Sequence, residues 1–477
     1  GQDAGSHMKA TTFGELKSQG YRYRSVRTEM AENLAAKIRS KQQIFPEIHG
    51  YEDTVIPQLT HAILSGHNIA ILGEKGQAKS RIMRSLTTLL DDEFPVLTGT
   101  EIPESPFHPI TALGRQHVAA GDSAPIRWLS RDERYGERLA PGSRIADIIG
   151  DLDPSRIIAG ESLGSESALH YGLLPRMNHG IFAINELPDL DYLVQVALFN
   201  VLEEADIQIR GLPIRIPLDV FVCFTANPAD YSRSGKIITQ LKDRIGAEIR
   251  THYPKARSVG LAITRQEIQN LIVDPRIIVP EFMENIIEEI TIQARMSPVV
   301  NQKSGVSARL SIANYETATA SARRRALLLG ENPGHVRLTD LGNLFASSSG
   351  KIELDPYRDE AVTEFQVIQK IIDEAIREVF LEYFPLKKYE PTMDQVAKQI
   401  FEAKGLEISD TMNVESYRDI LKKVPALFDF MRDRGWDSDS QTLACGVEFI
   451  LEGLAVNQKL SRRKLGEIVS FKSVDIY

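Results

Sequence analysis

The stretch GEKGQAKS, Gly73 to Ser80, sets a lysine and a hydroxyl at the end of a glycine-containing turn. It follows the apolar run NIAIL and precedes a segment in which Ile82, Leu86 and Leu89 recur at helical spacing. Strand, turn, then Lys-Ser at a helix start is an arrangement that cradles nucleotide phosphates. Gly73, Glu74, Lys75, Gly76, Gln77 and Ala78 then offer backbone N–H groups, Lys79 reaches the β and γ phosphates, and the Ser80 hydroxyl ligates Mg²⁺. The implied cofactors are ATP and Mg²⁺. Ala78 stands where the pattern has its last glycine, and its methyl group is tolerable only if the backbone there is not left-handed.

A phosphate loop alone does not hydrolyse ATP, so further groups must follow in order. After the apolar run GIFAI come Asn185 and Glu186. Glu186 is placed to orient and deprotonate an attacking water. Asn185 occupies the position where a carboxylate ordinarily accepts hydrogen bonds from waters on Mg²⁺. Asparagine keeps an acceptor oxygen but loses a negative charge, so weaker Mg²⁺ binding and a raised Mg²⁺ requirement are expected. Asp189 or Asp191 compensates only if the following turn folds back. After the run VFVCF, "TANP" places Asn227 at a strand end, where it could hold the same water from the other side.

These groups need a scaffold of buried strands and flanking helices. Asn68 to Leu72, Phe94 to Leu97, Gly180 to Ile184 and Val220 to Phe224 read as buried parallel strands, with a weaker fifth around Ile249. A helix is expected over roughly Thr28 to Lys41. Beyond Pro254 the patterns turn helical, as in EFMENIIEEITIQARM from Glu281 to Met296, with a long helix from Asp359 to Phe384 and breaks at "FPLKKYEPT" and "RGWDSDSQT". Gly1 to His7 read as an expression-tag remnant. The remaining chain divides into an N-terminal helical segment (8–44), an α/β core (45–255), a helical lid (256–350) and an all-helical C-terminal extension (351–477).

With 42% hydrophobic and 25% charged residues, the 477-residue chain has the composition of a soluble globular protein. Two cysteines exclude a disulfide framework and a cysteine-rich metal site, which fits a reducing cytoplasmic setting. A formal charge of −9 speaks against a dedicated nucleic-acid binder, and no apolar run of membrane-spanning length occurs.

The order of the phosphate loop, Glu186 and Asn227, followed by "LKDRIG" with Arg244 and "GVSARLS" with Arg309, resembles the AAA+ ATPases. That resemblance implies a parallel sheet of order 5-1-4-3-2. It also implies Arg244 as an arginine finger delivered to a neighbouring subunit, and Asn227 and Arg309 as the residues called sensor 1 and sensor 2. The segment DIIGDLDPSRIIAGESLGSESALHYGLLPRMNHG resembles the helix-2 insert of one branch. Ile207 to Pro217, alternating around Gly211, reads as a β-hairpin where that branch carries its pre-sensor-1 hairpin. From Phe45 to Ser349 the chain resembles the magnesium chelatase ATPase subunit (subunit I) and MoxR-like proteins, in which Ala-Lys is frequent in the phosphate loop. Membership would imply a hexameric ring that remodels a partner protein, commonly one with a von Willebrand factor A domain. The chain shows no such domain of its own. "DSDSQT" (437–442) reads as a capped turn between helices.

The runs Arg323-Arg324-Arg325 and Arg462-Arg463-Lys464 read as solvated helix faces. His61, His67, His108, His117 and His170 lack zinc-site spacing. An enhancer-binding activator is disfavoured, since there is no GAFTGA loop and no convincing helix-turn-helix. Two functions remain: an ATP-hydrolysing ring motor, supported by Glu186, Asn227, Arg244 and Arg309, and a nucleotide-gated scaffold with little turnover, supported by Asn185 and Ala78.

Overall fold

A computed structural model describes residues 8–160, 165–209, 214–233, 235–268, 274–302 and 304–474. The chain forms two compact units, divided between Tyr253 and Pro254.

The first unit is built on a five-stranded parallel sheet. Its strands are β1 (Ile69–Leu72), β2 (Tyr135–Leu139), β3 (Gly180–Asn185), β4 (Val220–Ala226) and β5 (Ala247–Arg250). They lie side by side in the order β5-β1-β4-β3-β2. Every residue of β1 and β4 is buried, as both faces of a helix-covered parallel sheet require. Successive side chains divide between the two faces. Ala70, Leu72, Phe182, Ile184, Val222 and Phe224 join one core with Val194 and Leu198 of the helix Tyr192–Glu204. Ile69, Ile71, Ile181, Ala183, Phe221 and Cys223 join the other, with Met30, Leu34, Leu59 and Ile82 from helices on the opposite side.

The expected second strand is a correction. Glu93–Leu97 is not in this sheet but pairs antiparallel with Ile126–Ser130. Pro95 lies within it and has no N–H to give a central ladder, so such a segment belongs in an edge pairing. The true second strand, YGERL, is an edge strand whose residues are mostly half-buried or exposed, so no apolar run announced it. The hairpin before β4 is present as Asp206–Gln208 paired with Arg215–Pro217; Gly211 lies outside the described residues. In the segment resembling the helix-2 insert, Gly150–Leu152 pairs antiparallel with Leu169–Tyr171, while 161–164 lie outside the described residues.

The helix Val26–Arg39 begins at Ser25, whose side chain accepts from the Thr28 N–H, the usual way to satisfy a first-turn donor. It also carries Glu29, fully buried, which receives two 2.7 Å hydrogen bonds from Arg134 and a third of 2.7 Å from the Asp91 N–H. Arg134 donates in addition to the His179 carbonyl. This paired charge ties the N-terminal helix to the start of β2.

In the second unit, residues 256–350 and 351–477 share one hydrophobic core that runs from Phe282 to Phe471. The long helix is Glu364–Tyr383, opened by a capping box of Thr363 and Gln366. The break at "FPLKKYEPT" is confined to Phe384-Pro385, because the helix Leu386–Glu402 continues through Pro391. The break at "RGWDSDSQT" is a true one: Gly435 is left-handed and the Asp439 side chain caps Ser440–Val456. The C-terminal extension, expected to be all helical, also holds a three-stranded antiparallel sheet of Leu406–Ser409, Ile468–Ser473 and Leu460–Leu465. Arg462, Arg463 and Lys464 therefore lie on a strand, not a helix. Arg325 is buried and bonded to both carboxylate oxygens of Asp340 at 2.8 and 2.9 Å, so it is not part of a solvated face.

Two stability predictions follow. Glu29→Ala strands the Arg134 guanidinium in the core and should cost about 3–5 kcal/mol in urea unfolding. Glu448 is fully buried, bonded by the Tyr417 hydroxyl at 3.1 Å, and burial pushes its pKa up to about 7. An acid raised in the folded state stabilises fully below its unfolded pKa and loses that contribution as pH rises through the folded value. Unfolding free energy should therefore fall from about pH 4.5 to about pH 7 through this group, and Glu448→Gln should flatten that slope.

Candidate functional site

Parallel strands that begin together also end together, and in open α/β sheets the crevice outside their carboxyl ends is where ligands bind. Here the carboxyl ends of β1, β3 and β4 bring together the loop Gly73–Ser80, the pair Asn185-Glu186, and Thr225 through Asn227.

The loop leaves β1 through Gly73, whose N–H donates to the Ala226 carbonyl at 3.0 Å. A Cβ at Gly73 would collide with Thr251 Oγ1, which accounts for the glycine. Gln77 is buried, and its Oε1 accepts from the Glu74 N–H at 2.9 Å and from Thr251 Oγ1 at 2.8 Å. The Tyr51 hydroxyl lies within hydrogen-bond distance of the Gln77 and His252 carbonyls, at 2.7 and 2.6 Å. Tyr253 donates to the Lys75 carbonyl at 2.9 Å. The loop is thus held by residues just after β5 and by Tyr51, none of which the sequence reading singled out.

Ala78 has φ 64° and ψ 23°. It is left-handed, so the condition under which its methyl group would have been tolerable is not met, and the loop carries strain of about 1–2 kcal/mol there. The contacts at Gln77 and Lys75 are what hold it.

Lys79 opens the helix Lys79–Ser85 and folds back to donate to the Gly73 carbonyl. Burial lowers its pKa, and the nearby Glu186 and Glu74 oppose that shift. Ser80 Oγ donates to Asn185 Oδ1 at 3.3 Å, and Thr225 Oγ1 donates to the same oxygen at 3.0 Å. Thr225 Oγ1 also accepts from the Glu186 N–H at 3.2 Å. Glu186 is exposed just past the end of β3, with φ 62°, a left-handed conformation of the kind that gathers at functional sites. Asn227 uses its Oδ1 to cap the helix Pro228–Ser232, accepting from the Ala229 N–H at 3.0 Å, which leaves its donor Nδ2 as the group that can face the site.

Neither acidic residue beyond Glu186 turns back to Asn185. Asp189 faces Lys236 at 3.8 Å, and Asp191 stands at the start of the helix Tyr192–Glu204. A different carboxylate approaches: Asn185 Nδ2 donates to Glu137 Oε1 at 3.0 Å. Glu137 comes from β2, the polar edge strand, and only the tertiary pairing of β2 with β3 brings it there.

Arg244 precedes β5, and β5 runs parallel to β1 with Ala247 opposite Ile69. It therefore lies at the amino end of the sheet, away from the loop Gly73–Ser80, and is ion-paired with Glu203. Arg309 is exposed at the start of the helix Arg309–Leu329 in the second unit.

Among the described residues, no group of three or more His, Cys, Asp or Glu side chains could hold a metal by itself. A Mg²⁺ held by nucleotide phosphates and waters would ask the protein only for a hydroxyl and a polar acceptor nearby. Ser80 and Asn185 are suited to those parts.

No protein-family model and no curated protein matches the chain. Among solved structures it is similar to NtrX from Brucella abortus in complex with ATP, at 15% identity and a TM-score of 0.36, over 77% of this chain and 69% of that one. It is also similar to the complex of subunits BchI and BchD of magnesium chelatase, at 21% identity and 0.36, over 66% and 97%. A protein of Cytophaga hutchinsonii described as a candidate ATPase follows at 17% identity and 0.30, over 75% and 97%.

Ala78→Gly should relieve the left-handed strain and raise the unfolding free energy by about 1 kcal/mol. Chemical denaturation followed by tryptophan fluorescence would measure it, and a loss of stability would count against the strained loop.

Proposed function

We propose that the first unit is a phosphate-loop ATPase of the AAA+ type, which binds Mg-ATP on Gly73–Ser80 and hydrolyses it. The observation that carries this reading is the single hydrogen-bonded group formed by Ser80, Asn185, Thr225 and the Glu186 backbone beside the loop. The loop after β1 and the carboxyl ends of β3 and β4 meet there.

In this reading Lys79 exchanges the Gly73 carbonyl for phosphate oxygens when nucleotide enters. Bound Mg²⁺ would neutralise charge across the β and γ phosphates, held through Ser80 with Asn185 behind it. Glu186 receives the proton of the attacking water. Asn227, through Nδ2, steadies that water from the neighbouring strand end. Arg244, placed at the far end of its own sheet, would serve the site of an adjacent subunit, and leaving Glu203 is part of that role. Arg309 would report the γ-phosphate from the lid. A cytoplasmic hexameric ring related to the magnesium chelatase and MoxR-like proteins, acting on a partner with a von Willebrand factor A domain, is the form this reading takes. Among the described residues no helix is long and apolar enough to cross a membrane.

The loss of a carboxylate at Asn185 favours a second reading, a nucleotide-gated scaffold with little turnover. Steady-state phosphate release separates the two. Turnover should fall at least about 100-fold in Lys79→Ala and in Glu186→Gln, with nucleotide binding retained only in the latter. Nucleotide-dependent assembly of the wild type without turnover would sink the motor reading.

A further inference from the structure

Asn185 is held from both ends of its carboxamide. Oδ1 accepts from Ser80 and Thr225, while Nδ2 donates to Glu137 Oε1 at 3.0 Å. An ionised carboxylate is an acceptor only, so Glu137 dictates that the nitrogen faces β2 and the oxygen faces Ser80. The Glu137 side chain is itself largely enclosed, 18% exposed. The Tyr135 hydroxyl donates to Oε1 at 3.3 Å, and Arg84 donates to Oε2 at 3.0 Å. The Arg84 side chain is 66% exposed, so water screens much of its attraction.

A carboxylate bonded to an amide N–H polarises the amide, and the charge withdrawn from nitrogen accumulates on the carbonyl oxygen. We infer that Glu137 supplies the negative charge that Asn185 lacks. The acidic element behind Ser80 is divided between two strands, with the acceptor oxygen on β3 and the charge on β2. Glu137 is then a positioning residue for the Mg²⁺ side of the site. This inference rests on the reading that Gly73–Ser80 binds a Mg-nucleotide. It reverses the expectation drawn from Asn185 alone, because the charge is displaced by one hydrogen bond, onto the neighbouring strand, and not lost.

The arrangement also explains why asparagine suits position 185. An aspartate there would set a carboxylate oxygen against Glu137, where Asn185 now donates, and two like charges at that distance repel.

The test is the affinity of the full chain for a fluorescent ADP, measured with Mg²⁺ and with EDTA; the dissociation constant in EDTA divided by that in Mg²⁺ reports the contribution of the metal without turnover. Glu137→Gln should leave the EDTA affinity unchanged and reduce the ratio roughly tenfold, the scale of one partly screened charge interaction. Asn185→Asp alone should not raise the ratio above the wild type. The pair Glu137→Gln with Asn185→Asp moves the charge to β3, removes the repulsion and should restore the wild-type ratio. An unchanged ratio in Glu137→Gln would overturn the inference. So would an equal loss of affinity in EDTA, or a double variant no better than Glu137→Gln, since either marks a structural role only. If the wild type binds no nucleotide at all, the ATPase reading falls and takes this inference with it. Wild-type binding that depends on Mg²⁺ but ignores Glu137 overturns the inference alone.

Discussion

Burial of the parallel sheet on both faces is the constraint from which the rest of the first unit follows. Side chains on β1, β3 and β4 alternate into two separate hydrophobic cores, so these strands have no solvated face on which to carry polar chemistry. Polar side chains can emerge only where the strands end. The lysine, the hydroxyls, the carboxamide and Glu186 all stand at that boundary, and backbone N–H groups of the loop cover it. The strands exempt from the constraint are the two edge strands, β2 and β5, each of which meets a neighbour on one side only. Both carry a carboxylate in their interior, Glu137 on β2 and Glu248 on β5, and it is Glu137 that reaches Asn185.

The loop Gly73–Ser80 shows the same economy in a smaller space. A left-handed alanine, a glycine without room for a side chain, and a lysine bonded to its own loop are unfavourable or restrictive taken singly. They persist because Gln77, Tyr51 and Tyr253 bond the loop backbone at several points, and Thr251 holds the Gln77 side chain in place. A loop held in this way offers its N–H groups at little further entropic cost when an anion arrives. The Lys79 contact with the Gly73 carbonyl is of another kind, since its donor is one flexible side chain of the loop itself.

In the second unit, polar groups are buried for a different reason. Arg325 bonds both oxygens of Asp340, and Asp340 also accepts from the Arg337 N–H at 2.8 Å. Glu448 and Tyr417 lie buried in the same interior as Arg337. Buried ions of this kind add little net stability over an apolar filling, but each is costly to unpair. They restrict how the helices around them can pack. The triple-arginine run showed only charge, and it could not show that its third member faces inward to an acid fifteen residues away.

By itself the sequence determined what local pattern can carry. Apolar runs specified β1, β3 and β4, because a strand covered on both faces must be apolar along its length. The turn GEKGQAKS could be placed just past β1, and Glu186 and Asn227 just past β3 and β4, because each closely follows such a run. The second strand was misplaced onto Phe94 to Leu97, since an edge strand is under no pressure to be apolar and Pro95 left that run apolar but unfit for the sheet. The C-terminal strands were hidden by a basic run that suits an exposed strand as well as an exposed helix. What only the tertiary structure decided was the handedness of Ala78, the clamp from Tyr51, Thr251 and Tyr253, and the meeting of Glu137 with Asn185. Each depends on pairing between distant segments, and the pairing of β2 with β3 brings together residues 48 positions apart. The physical reason is that strand register is set by whole-sheet packing, which no local spacing encodes.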